Sequence, residues 1–168
     1  MCPASAATLE TAEKFVDAFY AFEPAQLSAL LGLGQDADNA LYYQAWAQAA
    51  HYVVKDQVPR IVVGDGLDSE GDAGSAICAI TVNGNFGTTL GYAATDTATL
   101  KVQDNKVSAV SFEGDDPLIF SVVYLWMTML RSDVFEGPCE NMFDVGNTSA
   151  DCARAVAGAA KEFMSLWD

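Results

Sequence analysis

The chain has 168 residues, about the size of one domain, and half of them are hydrophobic, so it can bury a core of its own without metals or many disulfides. Against 23 Asp and Glu stand 8 Lys and Arg, spread along the chain, and a field of that sign repels phosphate backbones and anionic lipid headgroups. Nucleic acid is excluded as a natural partner, and with the longest apolar run, Leu118 to Leu130, well short of the roughly 20 residues a bilayer requires, no membrane span is expected.

The amino terminus has neither the basic residues nor the apolar stretch of a signal peptide. Met1-Cys2-Pro3-Ala4-Ser5-Ala6 suits an ordinary terminus or the start of a processed lipoprotein anchored at Cys2, and the second possibility favours an extracytoplasmic location over a cytoplasmic one.

From Thr8 to Phe22, apolar residues at Ala12, Phe15, Val16, Phe19 and Phe22 recur at spacings of three and four, which predicts an amphipathic helix with Thr8 as a cap. Pro24 opens a second, shorter helix carrying Leu27, Leu30 and Leu31, and Gly32 and Gly34 end it. A third helix is expected from Asp38 or Asn39, with Tyr42, Ala45, Trp46, Ala49 and Val53 on its apolar face. Pro59 lies beyond its end.

The period then changes to two. Ile61 to Val63, Ala76 to Val82, Gly91 to Val102 and Val107 to Phe112 read as strands. Turns at Gly64 to Gly74, Asn83-Gly84 and Gln103 to Lys106 join them as antiparallel hairpins. Asp116-Pro117 looks like a cap and a first-turn proline before a helix over Leu118 to Leu130, which is apolar on all sides and so is expected to be buried on several faces. A loop from Arg131 to Asn147 precedes a last helix with Val156, Ala160, Phe163 and Trp167 in one stripe.

Cys139 and Cys152 enclose a dozen residues rich in loop signals, and a disulfide there would stabilise the fold by about 3 kcal/mol in an oxidising compartment. Cys78, in an apolar strand pattern, reads as a small buried hydrophobe.

Three leading helices and a long antiparallel meander follow one another in the order of a known family. Glu13-Lys14-Phe15-Val16-Asp17-Ala18-Phe19, Tyr43-Gln44-Ala45-Trp46, and the hairpin from Ala98 to Val107 together resemble the NTF2-like, or SnoaL-like, α+β cone over residues 8 to 114, with residues 115 to 168 as a helical extension packed on the same domain. The resemblance implies three helices packed on a curved antiparallel sheet, a pocket between the two layers, and a homodimer formed through the sheet; the apolar carboxy-terminal helix of the extension is the alternative dimer surface. Members include isomerases, dehydratases, cyclases and epoxide hydrolases as well as pure binders, so the fold does not deliver a function. Two departures matter. Gly32 to Asn39 is too short and polar for the customary first strand, which in the ketosteroid isomerases supplies the catalytic carboxylate, and the Arg-x-Asp unit of the epoxide hydrolases is missing, with Arg60 no substitute for it.

Asp96 shares a strand face with Ala98, Leu100 and Val102, so a carboxylate held among apolar groups could act as a general acid or base; a bulge, or a place at the sheet edge, would leave it structural. His51, the single histidine, is a candidate to relay a proton with Asp96 or Asp56, or else a capping residue. Tyr20, Tyr42, Tyr43, Trp46 and Tyr92 combine apolar bodies with polar tips and suit either a ligand pocket or plain core.

Other matches fail on context. Gly32 to Ala37 fits a dinucleotide fingerprint in letters but follows a helix, and Asp68, Glu70 and Asp72 lack the Gly and Glu that would complete a calcium loop. Asn147-Thr148-Ser149 is a glycosylation sequon that has meaning only in a secretory eukaryote. The sequence implies neither a metal nor a cofactor. The expected function is binding of a small apolar or aromatic ligand. The alternatives are an isomerase, dehydratase or cyclase with Asp96 as base, and an interaction module whose extension fills the cavity.

Overall fold

A computed structural model describes residues 6–33, 35–60, 74–140 and 149–166. Helix α1 runs Ala6–Tyr20 and buries the expected stripe of Ala12, Phe15, Val16 and Phe19. Thr8 lies inside the helix and is buried rather than capping it. Helix α2, Pro24–Leu30, begins with the proline at its first turn and buries Leu27. Helix α3 runs Gln35–Ala49.

The apolar face expected of α3 is only half of its packing. Ala40, Gln44 and Ala47 form its buried line, and Gln44 Nε2 donates to the carbonyls of Ala18 (3.0 Å) and Phe19 (3.1 Å). Those carbonyls belong to the last turn of α1 and otherwise receive only the longer backbone bonds from Glu23 (3.4 Å) and Phe22 (3.3 Å), so a buried side chain adds to the satisfaction of the helix end. The Tyr42 and Trp46 side of α3 instead faces a cavity. At His51 the backbone turns left-handed, with φ 54°, and the chain leaves the helix well before Val53.

The first strand lies earlier than the sequence pattern placed it. Strand β1 is Val53–Arg60, where polar residues and Pro59 hide the period of two. As an edge strand bonded only to β2, it tolerates a proline that a central strand would not. Ile61 to Val63 and the acidic residues Asp68, Glu70 and Asp72 lie outside the described residues, as do Cys2, Asn147 and Trp167.

Strands β2 (Gly74–Asn83), β3 (Ala94–Gln103) and β4 (Lys106–Gly114) complete a sheet of order β1-β2-β3-β4, antiparallel throughout. The β3–β4 turn places Asp104 and Asn105 at φ 53° and 58°, the two left-handed positions of a tight hairpin. Ala76, Cys78, Ile80 and Val82 alternate with half-buried neighbours on β2, and Ala98, Leu100 and Val102 alternate with half-buried or exposed neighbours on β3. This face packs with Phe15, Val16 and Phe19 of α1 into the first apolar cluster. Each fully buried side chain of this size contributes about 1.5–3 kcal/mol. Cys78 is fully buried, and burial, with Glu13 nearby, pushes its thiol up to about 11, so it packs as a neutral hydrophobe.

Between β2 and β3 the structure has a short helix, α4 (Asn85–Leu90), where the pattern suggested only a turn. Gly91 ends it at φ 78°, and a Cβ on Gly87 would meet the Tyr92 carbonyl at 2.6 Å, so the tight return into β3 requires both glycines.

Helix α5 (Leu118–Leu130) forms where expected but is not buried on several faces. Val123 and Met127 are fully buried, whereas Leu118, Val122, Leu125, Met129 and Leu130 are exposed. No described element covers that outer side. Helix α6 (Ser132–Phe135) occupies part of the expected loop, and α7 (Ser149–Ser165) closes the chain. The Cys139–Cys152 disulfide, with Cα atoms 4.6 Å apart, fastens the turn after α6 to the first turn of α7. Arg131 holds Asp133 at 2.9 Å and also pairs with Glu162 of α7.

These three helices build a second apolar cluster against Trp46 of α3 and Phe86 and Leu90 of α4. The described residues thus form an α+β fold of seven helices and one four-stranded antiparallel sheet, with no helix long and apolar enough to cross a membrane.

Candidate functional site

The two apolar clusters do not close completely against each other. At their junction lies a cavity of about 270 Å³. The sheet supplies Val82, Ala94, Asp96, Phe112 and Gly114. Tyr42, Tyr43, Trp46 and Ala47 come from α3, and Phe86 and Gly87 from α4. The extension walls the cavity without filling it, through Phe120 and Tyr124 of α5 and Ala153, Val156 and Ala157 of α7.

Its aromatic lining falls into two groups. Phe112 packs on Phe19 with ring centres 5.0 Å apart and on Tyr43 at 5.7 Å. Phe86 packs edge-on against Phe120 at 5.4 Å and against Tyr92 at 6.5 Å, and Phe120 stacks on Tyr124. Small residues between the rings, Ala47, Ala94, Ala153 and Ala157, keep the space open.

Two carboxylates interrupt this apolar surface. Tyr20 donates its hydroxyl to Asp96 Oδ2 at 3.1 Å, and Tyr92 donates to Asp116 Oδ1 at 3.1 Å. Between them is Gly114, which the register sets directly across from Asp96. A Cβ there would stand 3.0 Å from Asp116 Oδ2 and 3.7 Å from Asp96 Oδ1, so both acids flank one point that only a glycine leaves open. Tyr52 closes the same corner, its hydroxyl hydrogen-bonded with Trp46 and close enough to feel the charge of Asp96.

Burial raises the Asp96 carboxyl to about 6; the Tyr20 hydrogen bond opposes the rise, and the charges of Asp116 and Asp115 add to it. Asp116 is raised by burial too, against the Tyr92 hydrogen bond. Tyr20 and Tyr92 are held far above the ordinary phenol value, first by burial and then by their carboxylate partners, so both remain donors. Among the described residues no Lys, Arg or His lines the cavity.

Of the residues singled out in the sequence, Asp96, Tyr42, Tyr43, Trp46 and Tyr92 line this cavity. Tyr20 stands behind Asp96 as its hydrogen-bond donor. His51 is not brought to Asp96: it is exposed and borders a separate open depression with Val53, Lys55 and Asn83, because the left-handed turn that ends α3 directs it away from the cavity. Asp116 does not cap α5, whose cap position is Pro117 without a side-chain bond; its carboxylate turns to Tyr92 instead. Tyr52, Phe86, Phe112, Phe120 and Tyr124 also belong to the wall, though nothing in their local pattern separated them from core aromatics. Among the described residues no three His, Cys, Asp or Glu side chains gather as a metal site requires.

No family model matches the chain, and comparison with curated proteins and with solved structures likewise finds no match.

Proposed function

We propose that this chain is a ligand-binding domain that takes a small, largely aromatic or apolar molecule into the cavity between its helices and sheet. The observation that carries the reading is an open space of about 270 Å³ whose wall is aromatic on several sides and polar at one corner. Ligand sites commonly combine apolar walls with a few convergent polar groups, and this volume lies just under the usual range, so the ligand is smaller than a typical drug. Three leading helices, an antiparallel meander and a cavity between the layers fit an NTF2-like plan. The bridge of Leu31 to Val107, with Gly32 N–H donating to the Val107 carbonyl at 2.8 Å, fits a reduced trace of that family's first strand.

A thermal-shift panel of small arenes, run on the full chain and on Ala157→Trp and Ala94→Trp variants that fill the cavity, tests the reading. Stabilisation of the native chain that both fillings abolish is the expected result. An unmoved melting temperature across the panel sinks the idea.

A second reading is an isomerase, dehydratase or cyclase in which Asp96 is the general base. The Asp96 carboxyl raised to about 6 by its buried position favours it, since a base is most effective near the working pH. In such an enzyme Asp96→Asn would abolish turnover and spare folding. Self-association is a separate expectation, and the exposed Leu118, Val122, Leu125 and Met129 row of α5 is the surface that suits it. The disulfide fits an extracytoplasmic chain, the oxidising compartments being where such bonds persist.

A further inference from the structure

We infer that the ligand is an organic cation, an aromatic or apolar body bearing a protonated amine that docks between Asp96 and Asp116; this rests on the ligand-binding reading of the same cavity. The wall and the corner each bear on the choice. Tyr43 and Phe112, with centres 5.7 Å apart, and Phe86 and Phe120, at 5.4 Å, offer ring surface whose faces attract cations as well as apolar groups. At the corner, each carboxylate receives one tyrosine hydroxyl, and each retains an oxygen directed toward the point flanking Gly114: Oδ1 of Asp96 and Oδ2 of Asp116.

Two acids converging on one spot would ordinarily be neutralised by a lysine or arginine, and none lines this cavity among the described residues. With Asp96 half-buried and Asp116 at the exposed mouth, the two carboxylates repel each other and have no cation beside them, which is unfavourable as it stands. An ammonium group supplies the missing charge and the donors that the two free oxygens accept. An anionic ligand meets repulsion at that corner and, at longer range, from a chain of net charge −15. A neutral arene gains the walls and leaves the corner unpaired.

The test uses three indoles of nearly equal shape on the full, disulfide-intact chain: tryptamine, the alcohol tryptophol and indole-3-acetate, measured by calorimetry at near-physiological salt. Tryptamine is expected to bind at least tenfold more tightly than tryptophol, with indole-3-acetate weakest. Asp96→Asn and Asp116→Asn should each cut that preference severalfold while tryptophol affinity holds, the latter showing that the variants fold. Ala157→Trp, which leaves the net charge unchanged, should remove tryptamine binding. Equal binding of the amine and the alcohol overturns the cation inference and leaves the cavity reading standing. Tryptamine binding that survives Ala157→Trp places the amine on the acidic surface and also overturns it. If none of the three binds and the arene panel is silent too, the cavity reading fails first and this inference with it.

Discussion

Tyr20, in the last turn of α1, donates its hydroxyl to Oδ2 of Asp96 on β3 across 3.1 Å, joining two elements whose bonded residues lie 76 apart in the chain. The bond favours the ionised carboxylate and works against the burial that raises its pKa to about 6. Tyr20→Phe removes the donor and keeps the ring. The Asp96 carboxyl, followed by carbon-detected NMR, should then titrate above 6, and stability at neutral pH should fall by about 1–2 kcal/mol, as for a hydrogen bond to a charged group. An unmoved titration would mean that the hydroxyl does not bond the carboxylate in solution.

Asp96 also sets a sign for the dependence of stability on pH. Its folded value of about 6 is higher than the ordinary 3.8, so below about 4 the group is protonated in both states and contributes nothing. Between those values the folded chain keeps a proton that the unfolded chain has lost, and stability falls as pH rises. Above about 6 the full penalty is present. Asp116 acts in the same direction, and Tyr20, Tyr52, Asp115 and Asp116 are the titratable groups whose influence reaches Asp96. Asp96→Asn should therefore flatten the fall between pH 4 and 7 and raise stability at pH 7.5 by roughly 1–2 kcal/mol, a figure discounted for partial exposure. Urea titrations at several pH values measure it, and parallel curves for native and variant chains would refute the assignment.

Much of this corner was legible in the sequence, and one residue-level detail was not. The alternation Asp96, Ala98, Leu100, Val102 puts the carboxylate on the buried face, where the structure has it. Counting outward from the Asp104-Asn105 turn would pair Asp96 with Glu113, acid against acid. A bulge at Ser108 shifts the register by one, so that Val102 pairs with Val107 but Lys101 pairs with Ala109, and Gly114 comes opposite Asp96. Bulges carry no reliable local signature, and this one decides whether the corner is open. Helix α4 was missed because glycine and two threonines hide six helical residues, and β1 because an edge strand needs no apolar alternation. The covering of α5 was misjudged for a different reason. An all-apolar run reports that a helix avoids charge, whereas which side meets the core depends on elements far away in the chain.

The two sides of α5 should consequently respond in opposite ways. Met127 is fully buried among Val134, Val156 and Phe163 in the second cluster, while Leu125, two residues earlier, is 60% exposed. Met127→Ala should cost about 2–5 kcal/mol in urea unfolding, through lost transfer energy and the cavity left behind. Leu125→Glu should change monomer stability by no more than about 0.5 kcal/mol. If the exposed row joins two copies, the same Leu125→Glu will also shift the chain to a smaller species in sedimentation. A large loss of stability for Leu125→Glu in a chain that is monomeric before and after would contradict the placement of this face.

The disulfide links stability to the cavity. Cys152 precedes Ala153, and Ala153, Val156 and Ala157 of α7 form one wall of the site, so the bond that anchors the first turn of α7 also anchors that wall. Replacing Cys139 and Cys152 with Ser, or reducing them, should cost about 3 kcal/mol for a loop of this length. The affinity for whichever arene the native chain binds should fall in parallel, since a loosened wall must be reordered on binding. Cys78 provides the internal control. Buried and held protonated, with its thiol near 11, it should resist alkylation in the native chain under conditions that open the disulfide, and react only once the sheet unfolds. Peptide mapping after pulse alkylation separates the two outcomes: early labelling of Cys78 would show that reduction unravels the first cluster as well, and that the two halves of the core do not hold independently.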